Sequence, residues 1–161
     1  MNVHISRNAE LFLKALEDIW MAEQSWFASP NNAVWHCTQA TEKIMKSFLR
    51  CLNTEYDYGH ELKPLLDAVM SVTSVSEDFD KYVVYLSDFS SGLRYKNMSS
   101  DPSPEEARVA IARVKYILQE LHNNSVCAKY MDEAKEVHKK ILKSSFEKYS
   151  NIDINEDDVN G

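Results

Sequence analysis

Five polar side chains, His36, Gln39, Lys43, Lys46 and Arg50, recur at spacings of 3, 4, 3 and 4. On an α-helix this spacing places them along one line. A row of cationic groups with one amide suits phosphate oxygens. It equally fits the solvated polar face that any bundle helix carries. A second concentration is Arg94-Tyr95-Lys96-Asn97, with a guanidinium, an aromatic ring and an ammonium in three successive residues. Charge and stacking there could hold a phosphate and a base. The same side chains could also serve as loop caps with snorkelling stems. His60 is the third candidate. An imidazole at a helix start can bond a free backbone amide, meet a ligand, or act as a general acid–base.

Other chemistries find no foothold. His36, His122 and His138 fall on separate predicted helices, with no HExxH or HxxxH, and neither Glu133 nor Glu136 stands three residues before a His. Zinc and helix-bundle di-iron sites are therefore not expected. Cys37, Cys51 and Cys127 form an odd set without CxxC, which reads as reduced, partly buried thiols. There is no GxSxG, and with only 3 Gly no phosphate-cradling glycine loop can be drawn. No metal, cofactor or confident catalytic residue is assigned.

Charge narrows the partners. The chain has 18 Lys+Arg against 25 Asp+Glu, a net charge of -7. Asp153, Glu156, Asp157 and Asp158 in the tail account for four of the acids and leave -3 for the rest. Generic duplex DNA binding needs a dense basic face, which this balance does not supply. The first seven residues lack a basic start followed by an apolar run, and no apolar stretch approaches the ~20 residues of a membrane span. A cytoplasmic chain with no membrane contact is the expectation.

The elements that must position these residues are helical nearly throughout. Phe12, Ala15, Leu16, Ile19, Trp20, Trp26 and Phe27 outline a long first helix, and Ser29-Pro30-Asn31-Asn32 interrupts it. Val34, Cys37, Thr41, Ile44, Phe48 and Leu52 form the apolar side of a second. His60 to Met70 is a third, with Leu62, Leu65, Leu66 and Val69 inward. Ser74 and Glu77 have capping-box spacing before a fourth, which carries Phe79, Tyr82, Val83, Leu86 and Phe89 and stops near Gly92. Ser103-Pro104-Glu105-Glu106 is the clearest start, opening a fifth helix with Ala107, Ala110, Ile111, Val114, Ile117, Leu118 and Leu121 on one face. A last helix, about Val126 to Tyr149, is expected to turn Tyr130, Ala134, Val137, Ile141 and Phe146 inward. The three tryptophans, Trp20, Trp26 and Trp35, fit a core or a dimer interface better than a cofactor box. The sum is an all-α, up-and-down antiparallel bundle of five to six helices. It forms a single domain over 1–150, with 151–161 a disordered acidic tail.

Four short elements in this order resemble a known family. Gln39-Ala40-Thr41-Glu42-Lys43-Ile44-Met45-Lys46 is similar to the Gln-Ala-x-Glu-Lys-x-x-Lys signature of HEPN domains (higher eukaryote and prokaryote nucleotide-binding). Gly59-His60-Glu61-Leu62 with Leu65 is similar to that family's Thr-His-x-Leu-x-x-Leu. Arg94-Tyr95 resembles its Arg-Tyr-Pro, and Pro104-Glu105-Glu106-Ala107 the opening of its last conserved helix. The resemblance covers about residues 8–122. It implies a helical bundle that commonly forms a homodimer and a link to nucleotides or RNA. Such domains also occur beside nucleotidyltransferase proteins in toxin–antitoxin pairs, as accessory domains, and as ribonucleases. It carries over Gln39, Glu42, Lys43, Lys46, His60, Arg94 and Tyr95 as site residues.

The chain also departs from the pattern. The family's ribonucleases use Arg-x4-6-His, but no arginine here has a His five to seven residues later: His60 is ten after Arg50 and His122 nine after Arg113. Lys96 stands in place of the Pro of Arg-Tyr-Pro, and Gly59 in place of the Thr before His60. The leading expectation is a non-catalytic module that binds a nucleotide or RNA or holds a nucleotidyltransferase-type partner. In it, Lys43, Lys46 and Arg94 neutralise phosphate, Tyr95 stacks and His60 donates a hydrogen bond. The alternatives are a divergent, metal-independent ribonuclease using His60 and Arg94, and a structural dimerisation or adaptor bundle.

Overall fold

The computed structural model describes residues 3–56, 59–90 and 101–151. Among them are six α-helices and no strand: α1 Arg7–Ser25, α2 Pro30–Cys51, α3 Leu62–Val72, α4 Glu77–Ser90, α5 Pro104–His122 and α6 Ser125–Tyr149. The all-α bundle expected from periodicity is what the chain forms. The acidic residues of the tail lie outside the described residues.

Local chemistry sets most of the helix ends. Ser103 Oγ accepts the Glu106 N–H at 3.1 Å with Pro104 next in line, so α5 starts where its capping box places it. Asn124 caps α6 by accepting the Val126 N–H at 3.0 Å. α2 ends in a Schellman turn: Asn53 takes a φ of 51°, its N–H donates to Arg50 O, and the Thr54 N–H donates to Leu49 O. Asn tolerates that left-handed backbone better than most residues. Two starts differ from the sequence reading. Ser76, not Ser74, caps α4 by accepting the Phe79 N–H, because Glu120 on α5 fixes Ser76 by accepting its backbone N–H at 3.0 Å. α3 begins at Leu62 rather than His60, because Glu61 at the N-cap is still extended.

α2 is the central helix and touches α1, α3, α4, α5 and α6. Along its 22 residues only Asn31, Asn32 and Trp35 are exposed. α1 lies antiparallel to it: Asn8 O accepts from Ser47 Oγ near one end, and Asp18 meets His36 and Lys43 nearer the other. α4 is antiparallel to α5, with Ser76 against Glu120 at one end and Tyr85 against Arg113 further along. The predicted inward faces of α3 and α5 are buried residue for residue. α1 and α6 depart from prediction at their C-terminal ends. Trp20, Phe27 and Phe146 are exposed, and Trp26 is only half-buried. Helical spacing gives the line of a face but not where the neighbouring helix stops covering it. Trp35 is exposed as well, so only Trp26 packs against the core.

One contact ties the chain's start to α6. Ser6 donates its N–H and its hydroxyl to the two carboxylate oxygens of Glu133, at 2.7 and 2.6 Å. These bonds hold the Glu133 carboxyl below the usual glutamate range. A lowered folded value gives stability that is present above the unfolded carboxylate range and lost as pH falls through the folded one. Glu133→Gln is expected to cost about 1 kcal/mol at pH 7. In melts at pH 7 and pH 3, the gap between the two proteins should narrow at the lower pH.

Candidate functional site

A charged residue on an inward-facing stripe requires a partner. Asp18 is such a residue, lying on the α1 stripe between Ala15 and Ala22 and buried with them. Its partners come from the polar line of α2. His36 Nδ1 stands 2.9 Å from Oδ1, and the Lys43 ammonium donates to Oδ2. The line is therefore not an open row of cations. Its side chains are half-buried, and Asp18 of α1 neutralises its middle by meeting His36 and Lys43.

A second carboxylate organises the next turn. Glu42 is buried in α2, and Oε1 accepts from Lys46 Nζ at 2.7 Å. The same oxygen lies 3.0 Å from His60 Nδ1, which belongs to the segment just before α3. Two motif elements eighteen residues apart thus meet at one atom. Glu42 and Lys46 are nearly enclosed, with side chains 7 and 12 % exposed, while the His60 side chain is 85 % exposed. A carboxylate only accepts, so His60 Nδ1 carries the proton in this contact and Nε2 is left to solvent. The enclosed carboxylate fixes the tautomer and turns the ring to solvent.

Gln39 lies half-buried on the same α2 line, one turn from Lys43 and His36. Arg50, at the far end, has no ion-pair partner among the described residues. Arg94 and Tyr95 lie outside the described residues. The remaining buried polar groups of α2 serve packing: Thr41 Oγ1 donates to Cys37 O and Ser47 Oγ to Asn8 O. Burial, with Asp18 and Glu23 nearby, pushes the Cys37 thiol up to about 12, so it is protonated and not a nucleophile. No group of three or more potential metal ligands occurs among the described residues. None of their helices is long and apolar enough to cross a membrane.

Asp18 is the member of this site that sequence reading missed. Its signal was present: one acid on an otherwise apolar stripe, facing a helix with a basic line. Glu42 was carried over by motif, but its task of holding Lys46 and His60 together is visible only in the fold.

The sequence matches a known domain family. The HEPN domain profile matches residues 6–125, which span both carboxylates, His60 and α5. The chain belongs to the HEPN family. A crystal structure of an archaeal HEPN homologue, ST0689, superposes on this HEPN chain with a TM-score of 0.57. It is 17 % identical, and the alignment covers 74 % of this chain and 98 % of that one. At that identity the likeness concerns the fold. α6 lies almost entirely beyond the family match, as an addition packed on α1 and α5 of the HEPN bundle. No curated protein matches.

Proposed function

We propose that this HEPN chain is a binding module for single-stranded RNA or a ribonucleotide, with His60 as the residue that meets the sugar. The observation that carries the reading is the Glu42–His60 contact, which engages Nδ1 and leaves Nε2 to solvent, where in the neutral tautomer it accepts. A ribose 2′-hydroxyl is a donor that distinguishes RNA from DNA at such a position. Lys43 keeps two N–H donors beyond the one spent on Asp18, and at 29 % exposure it can reach a phosphate. Lys46 is enclosed and serves to position Glu42. Gln39 adds an amide on the same line. Arg94 and Tyr95 complete the site in this reading, as phosphate and base contacts.

Binding without cleavage is the favoured form. In-line cleavage of RNA needs one group to take the 2′-proton and another to protonate the leaving oxygen. The cluster exposes one imidazole, and its other, His36, is enclosed against Asp18. A second reading, a divergent ribonuclease with His60 as base and Arg94 as its phosphate partner, draws on the same carboxylate–imidazole pair. RNA that stays intact for hours at saturating protein rules it out. Pairing with a nucleotidyltransferase partner and homodimerisation remain compatible with the binding reading.

Charge pairing makes the salt dependence diagnostic. Asp18 and Glu42 offset Lys43 and Lys46, so the cluster carries little net charge. Single-strand binding loses about 0.7 log units of affinity per log unit of salt for each phosphate neutralised. We expect a slope of about -0.7 to -1.4 by fluorescence anisotropy with a short RNA, and a shallower one for Lys43→Gln. A slope steeper than about -3 would mean that some other, basic surface binds the strand.

A further inference from the structure

Five arginines occur in the chain. Arg108 lies over the Trp26 ring, and Arg113 lies over Tyr82 and Tyr85 at 4.9 and 4.0 Å, so these two are engaged in packing. Arg94 lies outside the described residues. Arg7 and Arg50 remain, and they converge. Both line one cleft of about 560 Å³ at the end of the bundle where α1 begins and α2 stops. Neither guanidinium has an ion-pair partner among the described residues. The other walls are Asn53, Thr54, Glu55 and Tyr56.

The chain builds this cleft rather than leaving it by chance. The Schellman turn fixes Asn53 and Thr54 directly after Arg50. Tyr56 is anchored because it packs against the core. Arg7 sits in the first turn of α1, beside Ser6, which Glu133 holds. The volume falls within the ~300–1,000 Å³ of small-molecule sites. Among the described lining residues, two guanidiniums face one carboxylate, that of Glu55, a net cationic set.

We propose that the cleft binds a phosphate monoester, the terminal phosphate of a small molecule or of a strand end. A chain-internal diester carries one negative charge, whereas a monoester carries close to two at neutral pH and three terminal oxygens. Two planar guanidiniums supply bidentate donors for such a group, and the Asn53 side-chain amide adds a neutral donor beside it, the Thr54 hydroxyl being turned to Leu52 O. The cleft shares no lining residue with the Glu42–Lys46–His60 contacts, and the proposal does not rest on the RNA-binding reading.

Thermal shift and calorimetric titration of the full chain test it. The probes are inorganic phosphate, 5′-AMP, adenosine, and one short RNA prepared with a 5′-phosphate and with a 5′-hydroxyl. Saturable binding of 5′-AMP or of the 5′-phosphorylated RNA is expected, with adenosine and the 5′-hydroxyl RNA weaker by at least about tenfold. Comparison of the two phosphorylated probes identifies which source the cleft prefers. Arg7→Gln and Arg50→Gln should each weaken the bound probe by about tenfold to a hundredfold, and Glu55→Gln should tighten it. Lys81→Gln, which removes one exposed charge on α4 and lines neither site, should leave the phosphate-specific increment unchanged. Arg50→Lys, which keeps the charge but loses the fork, guards against a folding artefact and should retain partial binding. Absence of any phosphate-dependent shift would overturn the proposal. So would a shift that survives both glutamine variants.

Discussion

Asp18→Ala is expected to destabilise the protein by about 3–5 kcal/mol, a large fraction of the stability of a domain this size. The side chains of Asp18, His36 and Lys43 are 11, 15 and 29 % exposed, so the group is poorly solvated. Removing the carboxylate leaves an ammonium and an imidazole N–H facing each other under α1 without an acceptor. Most of the loss comes from that stranded charge, not from the bond itself. A pair of variants distinguishes the two causes. Asp18→Leu combined with Lys43→Met removes both charges and should recover most of the stability, whereas either single change should not. Urea unfolding of the four proteins gives the coupling directly. Equal losses in the single and double variants would mean that α1–α2 packing, not charge pairing, sets the cost.

Glu42→Ala is the second large effect, and it moves two readouts. Glu42 is buried, and one of its oxygens serves both Lys46 and His60. Its loss strands the nearly enclosed Lys46 and should cost about 3 kcal/mol. It also releases His60 from its tautomer and direction. Glu42→Gln keeps an acceptor oxygen and the side-chain volume, and should cost about half as much in stability. His60→Ala supplies the contrast. The imidazole is 85 % exposed, so its removal should change stability by less than about 0.5 kcal/mol. A ligand affinity that falls in both Glu42→Gln and His60→Ala, despite their different stabilities, marks Glu42 as a positioning residue for His60. An affinity that tracks stability alone would make the pair structural.

Most of the fold was legible because helix periodicity and caps are local signals. α5 shows this best: Ser103, Pro104 and Glu106 start it, and its seven predicted inward residues are all buried. The errors arose where a distant segment decides. Ser76 outcompetes Ser74 as a cap because Glu120 reaches it from α5. Phe27 and Phe146 continue an apolar period but stay exposed. The site was half legible. Its motif residues could be placed on one line of α2, but spacing cannot show what faces that line. The line was expected to present bare cations or a solvated face. It is instead a half-buried seam closed by Asp18 and Glu42. An acid on an apolar stripe, read against a basic line elsewhere, is the signal that predicts such a seam.

RNA recognition in this reading depends on His60 Nε2 facing solvent, where it accepts from a ribose hydroxyl. The direct measurement is the affinity of one short sequence as RNA and as DNA, for the wild type, His60→Ala and Glu42→Gln, at a fixed salt concentration. The wild type is expected to bind RNA about tenfold more tightly than DNA, consistent with one good hydrogen bond. The preference should vanish in His60→Ala and shrink in Glu42→Gln. Equal affinity for RNA and DNA, or a preference untouched by the loss of His60, would contradict this reading.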